Sequence, residues 1–234
     1  MAKFNGPKIV TNGLVLCLDA GNRKSYPGSG TTWTDLSGQG NNGSLVNGPT
    51  FDANNAGSIV FDGTNDFISS YDLSWNNTNS VSISMFIKPA SLSTSKPIIG
   101  KQSYEWQIIQ LQTSFYFIYW DTTGNSNNGP IVTITDFYTS TNFVNVLLVW
   151  NHSDNKYYFY KNAELVGTTT WTDASINRNL SAGINIGGNI YAYAPAGGGS
   201  YWNGSIGLVQ VYNRALSAAE IQQNFNATRY RFGI

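Results

Sequence analysis

Apolar and polar side chains alternate with period two over short stretches of this chain, and turns rich in Gly and Asn separate those stretches. Val81, Ile83, Met85 and Ile87 alternate with Ser82, Ser84, Phe86 and Lys88. That spacing predicts a strand with one face on a core, ended by Pro89. Residues 144–150 are apolar on both faces and predict a central strand buried on each side. The turn-forming stretch 151–155 then leads to four aromatics at 157–160, which predicts a β-hairpin. Further strands are predicted at 14–18, 58–61, 107–111, 115–120, 183–186 and 205–212. Many short strands with turn signals between them predict an all-β sandwich.

One helix signal stands out, near the C-terminal end. Ser217 and Glu220 form a capping box, and Leu216 is placed to staple against Ile221. Ile221 and Phe225 share a face, so a helix of roughly two to three turns should dock on the sandwich by that stripe. The Gly/Asn-rich stretches 37–48, 121–130 and 195–200 read as long surface loops. With no internal repeat or linker, residues 13–234 read as one domain. Residues 1–12, which have little core pattern, read as an arm able to contact a neighbouring subunit or as a frayed end.

Composition narrows the choice of partners. Hydrophobic residues make up 41% of the 234 and charged residues 11%, so a large core is available under an unusually uncharged surface. Thirteen basic side chains balance thirteen acidic ones, with no basic cluster of the kind that neutralises phosphates. Nucleic acid is therefore not an expected partner. The lone Cys17 lies in the apolar run 14–18, where a small buried thiol is the ordinary reading. The first residues lack the apolar core of a secretory signal, and no stretch is apolar for the roughly 20 residues a membrane helix needs. The expectation is synthesis in a cytoplasm without membrane insertion.

Four segments, in order, carry a family resemblance. They are residues 13–20 (GLVLCLDA) with 33–43 (WTDLSGQGNNG), residues 58–68 (SIVFDGTNDFI), residues 146–150 (VLLVW) with 157–166 (YYFYKNAELV), and residues 204–221 (GSIGLVQVYNRALSAAEI). Together they resemble the laminin G-like domains of the concanavalin A-like lectin/glucanase superfamily, although Ala163 stands where Gly is more usual. The resemblance implies a jelly-roll β-sandwich of two antiparallel sheets with one short C-terminal helix. Residues 25–33 (SYPGSGTTW) and 223–234 (QNFNATRYRFGI) are similar to versions of this domain in tailed-bacteriophage virion surface proteins. This implies a place on the virion surface after assembly in host cytoplasm, with other virion subunits as partners and a homo-oligomer or symmetric assembly. The role would be head decoration, fibre or tail component.

Some relatives on this fold are glycoside hydrolases, which need two carboxylates facing one cleft roughly 5 to 10 Å apart. Their usual Glu-x-Asp-x-x-Glu strand is missing, and the three glutamates are Glu105, Glu164 and the helix-capping Glu220. The sole histidine, His152, lies in a predicted turn without a nucleophile motif beside it. The expectation is a protein that binds rather than catalyses. Related domains hold calcium through loop oxygens, which points to Asp35, Asp62 and Asp66, each of which could equally cap its own turn. Glycan recognition needs aromatic faces and planar amides on loops. Residues 189–202 offer Tyr191, Tyr193, Tyr201 and Trp202, with Asn125 and Asn127 on another loop, against the alternative that these aromatics pack a core. Binding of host or environmental glycans and purely structural assembly both remain open.

Overall fold

A computed structural model describes residues 7–54, 57–70, 80–101, 106–119, 132–170, 183–188 and 201–234. The described strands begin with β1 (Leu14–Asp19), β2 (Thr32–Trp33), β3 (Gly43–Val46), β4 (Thr50–Asp52), β5 (Ser58–Asp62), β6 (Phe67–Ser69), β7 (Val81–Pro89) and β8 (Ser95–Lys101). They continue with β9 (Trp106–Leu111), β10 (Ser114–Tyr119), β11 (Val132–Ile134), β12 (Val144–Asn151), β13 (Lys156–Lys161), β14 (Glu164–Thr170), β15 (Ile184–Ile186) and β16 (Asn203–Tyr212). A single helix, α1 (Ala218–Thr228), and a 3-10 turn (Arg229–Phe232) close the described chain.

The strands form two antiparallel eight-stranded sheets, the sandwich that the alternation predicts and the jelly roll that the family resemblance implies. In the first sheet the order is β14-β13-β12-β7-β16-β5-β4, with β1 also paired to β16. In the second it is β11-β10-β9-β8-β15-β6-β3-β2. The alternating residues of β7 sort as their pattern demands: Val81, Ile83, Met85 and Ile87 enter the core between the sheets. Their neighbours Ser82, Ser84 and Phe86 are buried too, on the opposite face. There Phe86 is covered by Phe225 of α1 and by Phe232, Ser82 Oγ donates to the Arg214 carbonyl and accepts the Leu216 N–H, and Ser84 Oγ accepts from Asn145 Nδ2. On β12, Leu148 and Trp150 point into the inter-sheet core while Leu147 and Val149 join a second apolar layer outside it. This is the strand buried on both faces that its composition predicts.

β16 serves both layers by changing phase. Its pairing with β7 shifts between Ile206 and Leu208, so Ile206, Val209 and Val211 face inward while Leu208 and Tyr212 face out. At the bulge only glycine fits, because a Cβ on Gly207 would lie 2.3 Å from the Phe232 ring. Phe232 in turn stacks on Phe86 with ring centroids 4.4 Å apart. Ile221 and Phe225 of α1 bury themselves in the same layer, each such side chain contributing about 1.5–3 kcal/mol. The helix starts where the capping box predicts: the Glu220 N–H donates to Ser217 Oγ, and the Glu220 carboxylate accepts from the Ser217 N–H.

The described part of the N-terminal arm lies on this helix rather than away from it. The Val10 N–H donates to Asn224 Oδ1 at 2.7 Å, and Gln223 Nε2 donates to the Lys8 carbonyl at 2.7 Å. Tyr212 completes the join by donating its hydroxyl to the Val10 carbonyl at 3.0 Å. Residues 1–6 lie outside the described chain. One predicted loop is partly strand: within 37–48, residues Gly43–Val46 form β3. Leu45 is buried there, and Gly43 lets β3 close on Ile68, where a Cβ would sit at 2.7 Å. The predicted loops 121–130 and 195–200 fall outside the described residues.

Candidate functional site

The connection from β1 to β2 folds back on itself through short polar bonds. Asn22 accepts the Lys24 N–H on its side chain and the Ser25 and Tyr26 N–H groups on its carbonyl. Ser25 Oγ accepts the Asp19 N–H at 3.0 Å and donates to the Thr34 carbonyl at 2.5 Å. Tyr26 is thereby set into the sandwich, where its ring meets Phe51 of β4 at 5.5 Å between centroids and its hydroxyl donates to the Gly30 carbonyl. Burial raises the Tyr26 hydroxyl above its ordinary pKa, so it stays a donor.

An open cleft of about 260 Å³ lies between this connection and β4. Ala20, Gly21, Arg23, Tyr26, Pro27, Phe51, Ala53 and Gly57 line it. Gly57 has φ +97°, and a Cβ there would lie 2.8 Å from the Ala20 carbonyl, so the floor of the cleft needs a glycine. Tyr26 and Pro27 enter the sequence expectations only through the resemblance of residues 25–33, and Arg23 and Phe51 not at all. The aromatic-proline pair Tyr26-Pro27 inside a Gly/Ser turn is the signal that marks the wall, but Phe51 joins it only through strand pairing.

The aromatic residues expected to contact a ligand divide. Trp202 is a core residue and is corrected as such: its side chain is 0% exposed, and its ring packs 6.2 Å from Phe61. Its indole N–H donates to Gln110 Oε1 at 2.8 Å, which satisfies the polar atom that burial would otherwise orphan. Tyr201 is half buried, with its ring 6.5 Å from Phe67. Tyr191, Tyr193, Asn125 and Asn127 lie outside the described residues.

The three expected calcium ligands are set in turns. Asp35 is buried, and its carboxylate accepts four hydrogen bonds, from Cys17 N–H, Ser37 N–H, Ser37 Oγ and Asn41 N–H, at 2.6–3.0 Å. Those bonds fill its oxygens and tie the 35–41 turn to β1. Asp62 accepts the Thr64 N–H at 2.7 Å, which holds its carboxyl below the usual carboxylate range. Asp66 is buried beside it and accepts the Asp62 N–H at 3.1 Å; burial raises its pKa. Asp62 pairs with Asn203 across β5 and β16, so Asp62, Asp66, Tyr201 and Trp202 are gathered at one end of the sandwich. Calcium takes six to eight oxygens. Among the described residues no group of three or more His, Cys, Asp or Glu could hold a metal ion.

The acids that hydrolysis would need are placed apart. Glu220 is held by Arg214 at 2.6 Å and by the helix cap, whereas Glu164 stands exposed at the start of the edge strand β14. Glu105 lies outside the described residues. His152 is exposed in the β12–β13 turn, 6.0 Å from the Trp150 ring.

Known proteins match this architecture. Among solved structures, the binding domain of Paraclostridial Mosquitocidal Protein 1 has a TM-score of 0.70 at 15% identity, over 92% of this chain and 52% of its own. The receptor-binding domain of botulinum neurotoxin type G gives 0.68 at 13% identity, over 92% and 51%. The binding domain of botulinum neurotoxin DC, solved in complex with rat synaptotagmin II, gives 0.72 at 15% identity, over 94% and 52%. The chain thus spans about half the length of these structures, and the likeness is one of fold. No curated protein sequence matches it. Residues 62–222 match the family model described as the concanavalin A-like lectin/glucanases superfamily. With more than half of its length in that match, the chain belongs to the concanavalin A-like lectin/glucanases superfamily.

Proposed function

We propose that this protein is a non-catalytic glycan-binding module on the surface of a bacteriophage virion, set among other virion subunits in a homo-oligomeric or symmetric assembly. One observation carries the binding reading: the open cleft walled by Tyr26, Pro27 and Phe51, with Arg23 at its rim. Aromatic faces beside a few polar groups in a shallow concave site are what sugar rings require. The dispersed glutamates argue against hydrolysis. Fold-level likeness to the binding domain of Paraclostridial Mosquitocidal Protein 1 and the receptor-binding domain of botulinum neurotoxin type G points the same way by analogy. The virion setting rests on the resemblance of residues 25–33 and 223–234 to phage versions of the domain.

Screening the purified protein on a broad glycan array, with calcium and again with chelator, tests this reading. Selective signal that falls on Phe51→Leu supports it. A blank array from a folded sample overturns it.

A blank array would favour a second reading, assembly without a glycan, for which β14 gives a specific reason. Leu165 and Val166 are 52% and 39% exposed on this strand, which ends its sheet among the described residues. Adjacent exposed apolar side chains on a sheet edge suit a protein partner. Loss of an oligomer in sedimentation on Leu165→Lys would support that reading.

A further inference from the structure

The cleft at Tyr26 and Phe51 has a chemistry that selects among sugars. Tyr26, Pro27 and Phe51 give it an aromatic and apolar side, and among the described lining residues Arg23 is the only charged side chain and none is Asp or Glu. Arg23 is exposed, and its guanidinium makes no hydrogen bond or ion pair with the described residues. The nearest acid in sequence that could quench it, Asp19, is already held by both terminal nitrogens of Arg231. Asp52, next to Phe51, accepts the Asn54 backbone and side-chain N–H groups on its own turn. A free guanidinium therefore stands at the rim of an aromatic wall.

Resting on the glycan-binding reading above, we infer that the cleft takes an acidic pyranose, a sugar ring bearing a carboxylate. The planar fork of Arg23 matches a carboxylate with two parallel N–H donors, a stronger and more directional contact than a hydroxyl would make. The Phe51 ring, in the lining with Ala20 and Gly21, is the face that receives the C–H face of the sugar. A volume of about 260 Å³ is small beside the ~300–1,000 Å³ of most ligand pockets, so it admits one ring rather than a chain. A terminal or side-branch acid fits this space better than the interior of a polysaccharide. One guanidinium, without a second cation among the described lining residues, also suits the single charge of a carboxylate better than the double charge of a phosphate.

The test is a titration followed by NMR through the Tyr26 and Phe51 ring resonances. The probes are glucuronate, glucose and N-acetylneuraminic acid, applied to the wild-type chain, Arg23→Gln and Phe51→Leu. Glucuronate and glucose differ at one carbon, so their affinity ratio isolates the carboxylate. The expected result is at least about tenfold tighter binding of glucuronate, as a charge-assisted contact implies. Arg23→Gln should remove that preference, bringing the glucuronate-to-glucose affinity ratio near one, and added salt should shrink it in the wild type. Tighter binding of N-acetylneuraminic acid than of glucuronate would name a sialate as the source, and the reverse a uronate; either supports the inference. Equal affinity for glucuronate and glucose, or a preference that survives Arg23→Gln, overturns it. If Phe51→Leu still weakens both sugars in that case, the glycan reading stands and only the acid selectivity falls. If no sugar shifts the Tyr26 and Phe51 resonances while the array gives signal, the cleft is not the site; with a blank array both readings fail. Because Arg23 is exposed and unpaired, Arg23→Gln should keep the wild-type melting temperature, which separates loss of binding from loss of fold.

Discussion

Arg231 grips Asp19 with both terminal nitrogens, at 2.8 and 2.5 Å, and so ties the 3-10 turn near the end of the chain to the last residue of β1. The two side chains are only 16% and 13% exposed, so the pair is partly withdrawn from water. Arg231→Ala would leave the Asp19 carboxylate without its partner and release the turn that carries Phe232. The expected cost is about 2–4 kcal/mol, read as a lower urea midpoint. The double variant Arg231→Ala with Asp19→Asn should recover part of that loss, because no half-buried charge is then left alone.

Acid should loosen the helix before it unfolds the sandwich. The hydrogen-bonded Arg214 side chain, helped by Ser217, holds the Glu220 carboxyl down to about 2. A carboxyl with a depressed folded pKa contributes stability that is fully present above its ordinary value near 4.5 and is lost as pH falls toward about 2. Between pH 5 and 2.5 the wild type should therefore lose more helical circular dichroism than Glu220→Gln, which lacks this titration. If the two lose helix equally, the capping box is not the acid-sensitive element.

Cys17 should behave as an inert thiol. Burial first, and the nearby Asp19 and Asp35 charges next, push its pKa up to about 12. At pH 8 the thiolate population is then negligible, so iodoacetamide should label the native protein at least about a hundredfold more slowly than the urea-unfolded chain. Native labelling at the unfolded rate would contradict the burial.

Asp35 offers a comparison that separates a turn cap from a metal ligand. With four donors on its carboxylate, Asp35→Asn replaces one acceptor oxygen with an amide that faces other donors. The expected loss is about 2–3 kcal/mol, equal in calcium and in chelator. A loss seen only when calcium is present would show that the residue holds the ion.

Periodicity revealed the longer strands because their burial is one-sided or complete over several residues. The alternation at 81–87 and the apolar run at 144–150 correspond to β7 and β12, and the Ser217–Glu220 box marks the start of α1. Strands whose pairing rather than composition defines them stayed hidden. In β14 a glycine and three threonines dilute the apolar signal, in β8 Pro97 reads as a breaker, and β2 is only two residues long. The candidate site was less legible for a related reason. Tyr26 and Phe51 are 25 positions apart in sequence, and nothing local foretells that β4 brings them to a ring contact. Trp202 sits next to a Gly/Tyr-rich stretch and shares its composition, yet the start of β16 carries it into the core, where Gln110 receives its indole N–H.

The docking of residues 8–12 on α1 has a practical corollary. Lys8 and the closing turn lie against one helix on one outer face, with Gln223 bridging to Lys8 and Arg214 to Asn12. Both described ends therefore lie on the α1 face, with Lys8 held by Gln223 and the closing turn continuing from the end of the helix, and a flexible linker laid along α1 would close the chain into a loop without crossing either sheet. New ends opened in the exposed β12–β13 turn at 152–155 would yield a permuted chain whose tether points away from the cleft-bearing β1–β2 connection. Attached that way to a bead or a scaffold protein, the domain could be oriented by choice of cut site alone.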